Sequence, residues 1–291
     1  MMSNSLTSTN APKISPQTNA STDEQFVEVW LAGRPPTTAR VYRTAAKQFL
    51  NFVEKPIKAI VLEDLQYWCA SLTDIYNTAT IRNKVNFIKS MLSFAVRVGY
   101  VQLNIGAAVK PQKPWQQLSQ RIVDKDEIVK LIAAGKTKRD RLIMECLYIL
   151  GLRISELHQL NWEDFRVRPD GSAIATIKGK GAKTRFVNVP RPLYNKLLAL
   201  KADKPWVFAN YRAERLSTRS INRVIKASAA KAGVNPKISA HWLRHAHASH
   251  SLDAGCDLPL LQQSLGHSSL AVTQVYLHIN PEKSSSQFLS V

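Results

Sequence analysis

The sequence predicts a two-domain, mainly α protein with one small antiparallel β-sheet in its second half. Three observations carry this. Apolar residues recur at helical spacing through residues 23–105. After Trp162 the period shifts from helical to alternating. Between the two stretches, residues 106–121 combine prolines and basic residues with little apolar periodicity. A chain of 291 residues is long enough for two domains, and 45% hydrophobic residues supply each with a core.

Residues 1–22 are Ser, Thr, Asn and Pro with few large apolar side chains. They bury too little surface to offset the entropy of ordering and read as a disordered arm. From Asp23, the residues Phe26, Val27, Trp30 and Leu31 share one helical face. Pro35-Pro36-Thr37-Thr38 breaks the chain and starts a second helix through Val41, Tyr42, Ala45, Phe49, Leu50 and Phe52-Val53. A third helix over Leu62–Leu72 opens with Glu63 and Asp64. A fourth, Thr78–Val98, aligns Ile81, Val85, Ile88, Met91, Leu92 and Ala95. Residues 23–105 therefore read as a four-helix domain with short loops, and 106–121 as an extended linker without an acid.

The second domain, 122–291, opens on a helix where Asp124 and Glu127 have capping-box spacing. An apolar helix over Arg139–Leu150 stops at Gly151. Phe165–Arg168, the turn Pro169-Asp170-Gly171, the alternating Ala173–Ile177, the Gly-rich turn Lys178–Lys183 and extended Phe186, Val187 and Val189 read as three antiparallel strands. From Arg191 the pattern is helical again, with turns at Gly233–Pro236, Gly255 and Gly266. No internal repeat of fixed period is present.

The formal charge of +19 is the footprint expected of a nucleic-acid binder. The basic excess lies in both halves and is larger after residue 110. Basic charge that merely confers solubility is the plainer alternative. A membrane-surface role lacks the polybasic amphipathic helix it needs. No stretch has the length of a membrane span, and the N-terminus lacks the apolar run of a secretory signal, so a cytoplasmic, nucleoid-associated protein is expected. Cys69, Cys146 and Cys256 form no CxxC pair and read as thiols in a reducing compartment.

Several polar residues could carry chemistry. Arg153 follows the helix break at Gly151-Leu152 and could present its planar fork to a phosphate, or simply pair with Glu156 at the surface. Lys180 lies between glycines, with Lys178, Lys183 and Arg185 nearby. This basic turn suits a DNA groove, either as a proton donor or as a phosphate grip alone. His241 and Arg244 are spaced i and i+3, which on a helix would turn both toward one spot, with Leu243 left for the core. His245, His247 and His250 follow, but neither an HExxH pattern nor an acid or cysteine at ligand spacing accompanies them, so no metal site is assigned. His267 follows Gly266, and Tyr276 comes nine residues later; taken alone, that tyrosine reads better as a core or interface residue. Together the set suits phosphoryl transfer. Two arginines and two histidines can neutralise charge on the non-bridging oxygens, a phenol can attack phosphorus, and an ammonium can protonate the departing oxygen. No cofactor is required.

These residues stand in Gly151-Leu152-Arg153-Ile154-Ser155-Glu156-Leu157, Gly179-Lys180-Gly181, His241-x-Leu243-Arg244-His245, Leu265-Gly266-His267-Ser268-Ser269 and Thr273-x-x-Tyr276. In that order and in one basic chain they resemble the tyrosine recombinase (phage integrase) family, nearest its Xer-like bacterial branch. The resemblance implies a helical, SAM-like core-binding domain followed by an α+β catalytic domain. It implies that Arg153 and Arg244 hold the scissile phosphate and that Lys180 is the general acid. His241 would contact the phosphate and take the tyrosine proton, and His267 would hydrogen-bond the phosphate. Tyr276 would be the nucleophile, and Glu156 a brace behind the arginines. It further implies a clamp on double-stranded DNA at a specific site and four protomers, alike or shared with a paralogue. Strand exchange would pass through a Holliday junction, and a C-terminal segment, here Gln287-Phe288-Leu289, would dock on a neighbour. Three other readings compete: a type IB topoisomerase-like nicking enzyme, a DNA-binding regulator without catalysis, and a metallo-hydrolase built on the histidines.

Overall fold

A computed structural model describes residues 17–112, 123–179 and 184–266. The chain divides into two compact units, Met1–Gln116 and Gln117–Val291.

The first unit holds α1 (Asp23–Leu31), α2 (Pro36–Val53), α3 (Leu62–Ser71) and α4 (Thr78–Arg97). Their starts are local chemistry. The side chains of Thr22 and Asn77 accept hydrogen bonds from Gln25 N and Thr80 N, and Pro36 occupies the first turn of α2. Phe26, Phe49, Leu65, Ile88, Met91 and Leu92 are buried at the centre. Phe26 stacks on Tyr100 with ring centroids 4.3 Å apart. Asp23 ties this core to the loop after α2, accepting from Ile57 N at 2.8 Å and from the Tyr100 hydroxyl at 2.9 Å. Burial, reinforced by Asp23, pushes the Tyr100 phenol up to about 12.

Both ends of this unit depart from the expected boundaries. Residues of the expected arm are packed on it: Gln17 N donates to Val98 O at 2.8 Å, and Ala20 packs on the core. The expected linker starts later than composition suggested. Ile105–Ala108 form a 3₁₀ turn against α4, Val109 packs on the same core, and its carbonyl accepts from Lys89 Nζ. A glycine fits here because a Cβ at Gly106 would lie 3.2 Å from Leu92 Cδ1. A single anchored turn needs no periodicity, so the sequence pattern does not reveal it.

Among its described residues the second unit holds α5 (Lys125–Ala133), α6 (Lys138–Ile149), α7 (Ile154–Gln159), α8 (Arg191–Leu198), α9 (Thr218–Ala232), α10 (Ala240–Asp253) and α11 (Leu258–Leu265). Between α7 and α8 lie β1 (Phe165–Val167), β2 (Ala173–Lys178) and β3 (Thr184–Val189), antiparallel in the order β1-β2-β3. The predicted sheet is therefore present. Its buried face, Ala173, Ala175, Ile177, Val187 and Val189, follows the two-residue pleat, and the opposite face leaves Phe186 70% exposed. The apolar helix α6 packs against α5, α8, α9 and α10 through Leu142, Ile143, Met144 and Leu147. Asp124 stands at the N-cap of α5, but its side chain makes no capping bond. Ala248, Leu261 and Leu265 form a small separate core joining α10 to α11. No described helix is long and apolar enough to cross a membrane.

Phe26→Ala should lower the stability of the first unit by about 3–5 kcal/mol, the usual cost of emptying a buried aromatic site. Urea denaturation checks this, and a loss below about 1 kcal/mol would show that the aromatic stack is not the centre of that core.

Candidate active site

The site is built around one carboxylate. Helix α6 ends at Gly151, whose φ of +59° is left-handed, and Arg153 enters α7 with extended backbone. Glycine is required at 151 for space as well, since a Cβ would meet His247 Cδ2 at 2.7 Å and Leu265 Cδ2 at 2.9 Å. One turn into α7, Glu156 folds its carboxylate back onto the Arg153 N–H at 2.7 Å. The same carboxylate accepts from the Arg153 guanidinium at 2.8 Å and from both terminal nitrogens of Arg185, at 2.7 and 2.9 Å. Arg244 Nη1 lies 3.8 Å from it. The Glu156 side chain is 2% exposed, so its charge rests on these cations rather than on water. Burial alone would raise its pKa; the bonds from Arg185 and Arg153 outweigh it and hold the carboxyl below its ordinary range.

Arg244 projects from α10 with its side chain only 3% exposed. It donates to Gly151 O and to Leu265 O, each at 2.6 Å. One guanidinium thus satisfies the carbonyl of Gly151, just past α6, and that of Leu265, the last residue of α11, and stands beside the carboxylate that holds Arg153. Arg153, whose side chain is 41% exposed, is the outward member of the pair. The plainer reading of Arg153, a pairing with Glu156, is therefore correct as geometry. The carboxylate it meets is shared with Arg244.

The hairpin residues divide. Lys178 is half-exposed and pairs with Asp164 at 3.0 Å and Glu163 at 3.8 Å; the bond to Asp164 raises its pKa. Arg185, expected among the DNA-contacting residues, turns inward instead. Its side chain is 10% exposed, and its Nε donates to Ser264 O at 2.7 Å. The physical reason is strand parity: Arg185 faces buried Ile177 in register and shares a face with Val187 and Val189. That parity was present in the sequence and would have pointed Arg185 at the interior.

Residues 121–283 match the model of the phage integrase family. The chain belongs to the phage integrase family of tyrosine recombinases. The tyrosine recombinase XerC of Thermodesulfovibrio yellowstonii is 30% identical over 262 residues, covering 84% of this chain and 86% of that one. The tyrosine recombinase XerD of Mycobacterium tuberculosis is 33% identical over 209 residues, covering 65% and 66%. Among solved structures, a lambda integrase dimer bound to a COC′ core site matches with a TM-score of 0.75 at 18% identity, over 90% of this chain and 96% of that one. XerH site-specific recombinase bound to a palindromic difH substrate matches with a TM-score of 0.74 at 21% identity, over 90% and 83%. Likeness at that identity shows a shared fold.

Two recombinase positions expected to share a face on α10 separate. His241 is exposed and sets its ring edge-on to His245, with centroids 4.3 Å apart, whereas Arg244 is buried. The i, i+3 offset spans the rim of the helix, so one side chain turns to solvent and the other to the core. His247 Nδ1 bonds Tyr148 O at 2.8 Å and His250 Nδ1 bonds the Tyr148 hydroxyl at 2.9 Å. Burial lowers the pKa of both rings. Among the described residues, no three His, Cys, Asp or Glu converge as metal ligands. Lys180, Lys183, His267, Tyr276 and the tail Gln287-Phe288-Leu289 lie outside the described residues. In sequence, Lys180 and Lys183 fall between the facing residues Lys178 and Thr184, and His267 directly follows Gly266.

A carboxyl whose folded pKa is depressed contributes stability above its unfolded pKa and loses it as pH falls through the folded value. The recombinase should therefore lose stability as pH drops below the ordinary glutamate value of 4.5. Glu156→Gln should flatten that acid limb and cost about 3–5 kcal/mol at neutral pH by leaving buried cations uncompensated. Thermal melts across pH test it, and an unchanged acid limb in the variant would remove Glu156 from this role.

Proposed function

We propose that this chain is a site-specific DNA recombinase that cleaves and rejoins strands through a covalent bond between a DNA 3′ phosphate and Tyr276. The observation that carries the reading is the convergence of Arg153 and Arg244, distant in sequence, on the buried carboxylate of Glu156. A scissile phosphodiester gains negative charge on its non-bridging oxygens in the transition state, and a preorganised pair of guanidiniums is suited to receive it. Tyr276 Oη attacks phosphorus, and the bond from phosphorus to the 5′ oxygen breaks with its electron pair on that oxygen. Lys180 protonates the leaving oxygen, His241 takes the phenol proton, and His267 donates to the phosphate. The product is again a phosphodiester, now to tyrosine, so its bond energy is kept. A free 5′ hydroxyl of a second duplex reverses the step and expels the phenolate.

The partner is double-stranded DNA, consistent with the +19 charge. In this reading the helical unit, residues 23–105, and the catalytic unit, 122–291, each contact the DNA. Four protomers, identical or shared with a paralogue, bring two sites together and pass through a Holliday junction. Lys178 and Lys183 contact the backbone near the scissile phosphate.

Tyr276→Phe removes only the hydroxyl. The unaltered chain should form denaturant-resistant protein–DNA adducts on genomic DNA, and Tyr276→Phe should abolish them while DNA retardation in gels persists. Sequencing the trapped ends identifies the site, and adducts persisting in Tyr276→Phe would sink the assignment. Lys180→Ala should slow cleavage of ordinary DNA by about 10²–10⁴-fold yet cleave a 5′-thio substrate well, since a thiolate leaves without a proton. Equal slowing on both substrates would reduce Lys180 to a phosphate contact.

A further inference from the structure

Arg185 is clamped on three elements. It rises from β3, holds both oxygens of Glu156 on α7, and donates Nε to Ser264 O near the end of α11. Its Cδ lies 3.0 Å from where a Cβ would stand at Gly266, whose φ is +64°. Glycine thus ends α11 and also leaves room for this arginine.

We propose that Arg185 is a positioning residue for strand cleavage, acting on the phosphate through Glu156 and the arginine pair. This rests on the reading of Arg153 and Arg244 given above. Two physical arguments lead to it. The first is geometric. A guanidinium presents donors in a fixed plane, so two parallel bonds to a carboxylate and a third to a carbonyl fix that carboxylate in position and tilt. Lysine, with one nitrogen, cannot reproduce this. Glu156 in turn fixes Arg153 by two bonds, so an error in the tilt of Glu156 is passed to the arginine that faces solvent. The second argument is electrostatic. One carboxylate among two arginines would cancel half of the positive charge intended for a phosphate. Arg185 is a third cation on the same carboxylate and keeps a surplus of two positive charges at the node. Stability alone does not account for it, because a buried ion pair is often no more stable than apolar residues of equal volume.

The test uses suicide DNA substrates carrying the site recovered from the trapped ends, at saturating protein. One substrate bears the ordinary scissile phosphate, and the other bears a neutral methylphosphonate, which makes less demand on cationic side chains. Arg185→Met, of similar length and without charge, should bind DNA within a few-fold of the unaltered chain. It should cleave the phosphate about 10²-fold more slowly, as expected for a misplaced electrostatic group. On the methylphosphonate the gap between the two proteins should shrink to less than about tenfold, since little charge is left to neutralise. A purely structural role would slow both substrates alike, and that result would overturn the proposal, as would a loss confined to DNA affinity. If Arg185→Met fails to fold in a thermal melt, Arg185→Lys keeps the charge without the planar fork. It should fold, bind and still cleave slowly, and cleavage at the unaltered rate would end the proposal. An unaltered chain that forms no tyrosyl adduct on either substrate would sink the recombination reading itself. Adducts with unimpaired cleavage by the Arg185 variants would sink only the role given to Arg185.

Discussion

A carboxylate excluded from water and surrounded by guanidiniums is the constraint on which the second unit depends. Isolated in the interior, the Glu156 charge would be too costly to keep. Surrounded by Arg153, Arg185 and Arg244, it becomes the point at which α7, β3 and α10 are held together. Arg244 extends the network to the ends of α6 and α11 through two main-chain carbonyls. The arrangement is directional in a way an apolar core is not. Leu243 and Ile143 need only remain buried, but a planar fork that turns from the carboxylate leaves its own buried charge unpaired.

The rest of the second unit serves that node. Helix α6 is apolar where α10 and α9 pack on it, and it ends in a left-handed glycine so that the chain can turn and present Arg153. The sheet is small, yet its parity sends Arg185 inward, and its register aligns Lys178 with Thr184 on either side of the segment that holds Lys180. The histidines after Arg244 are partly absorbed into packing: His247 and His250 both bond Tyr148 and so lock α10 to α6. The histidines of residues 241–250 are thus divided between the interior and the surface.

Much of the fold was legible because its signals are local. The four helices of the first unit follow from apolar spacing with Thr22, Pro36 and Asn77 at their starts, and the three strands from alternation broken by Pro169-Asp170-Gly171 and the glycines around Lys180. The boundaries were less legible. Gln17 and the turn Ile105–Ala108 are ordered by contacts with residues remote in sequence, which carry no period of their own. At the site, the residue types suited to phosphoryl transfer could be picked out and set in family order, but their surroundings could not. Lys178 proved to be paired with Asp164, and Arg185 to be internal.

The sequence by itself determined the helix and strand pattern, the strongly basic charge and the family, because these reside in short motifs and in periodicity along the chain. Tertiary structure alone decided which cations meet. Whether Arg153 and Arg244 share a carboxylate, and whether Arg185, which strand parity turns inward, meets that carboxylate, depends on how α7, β3, α10 and α11 pack. An ion pair is a relation between points in space, and hydrophobic burial, which brings those elements together, leaves no local trace at the charged residues themselves.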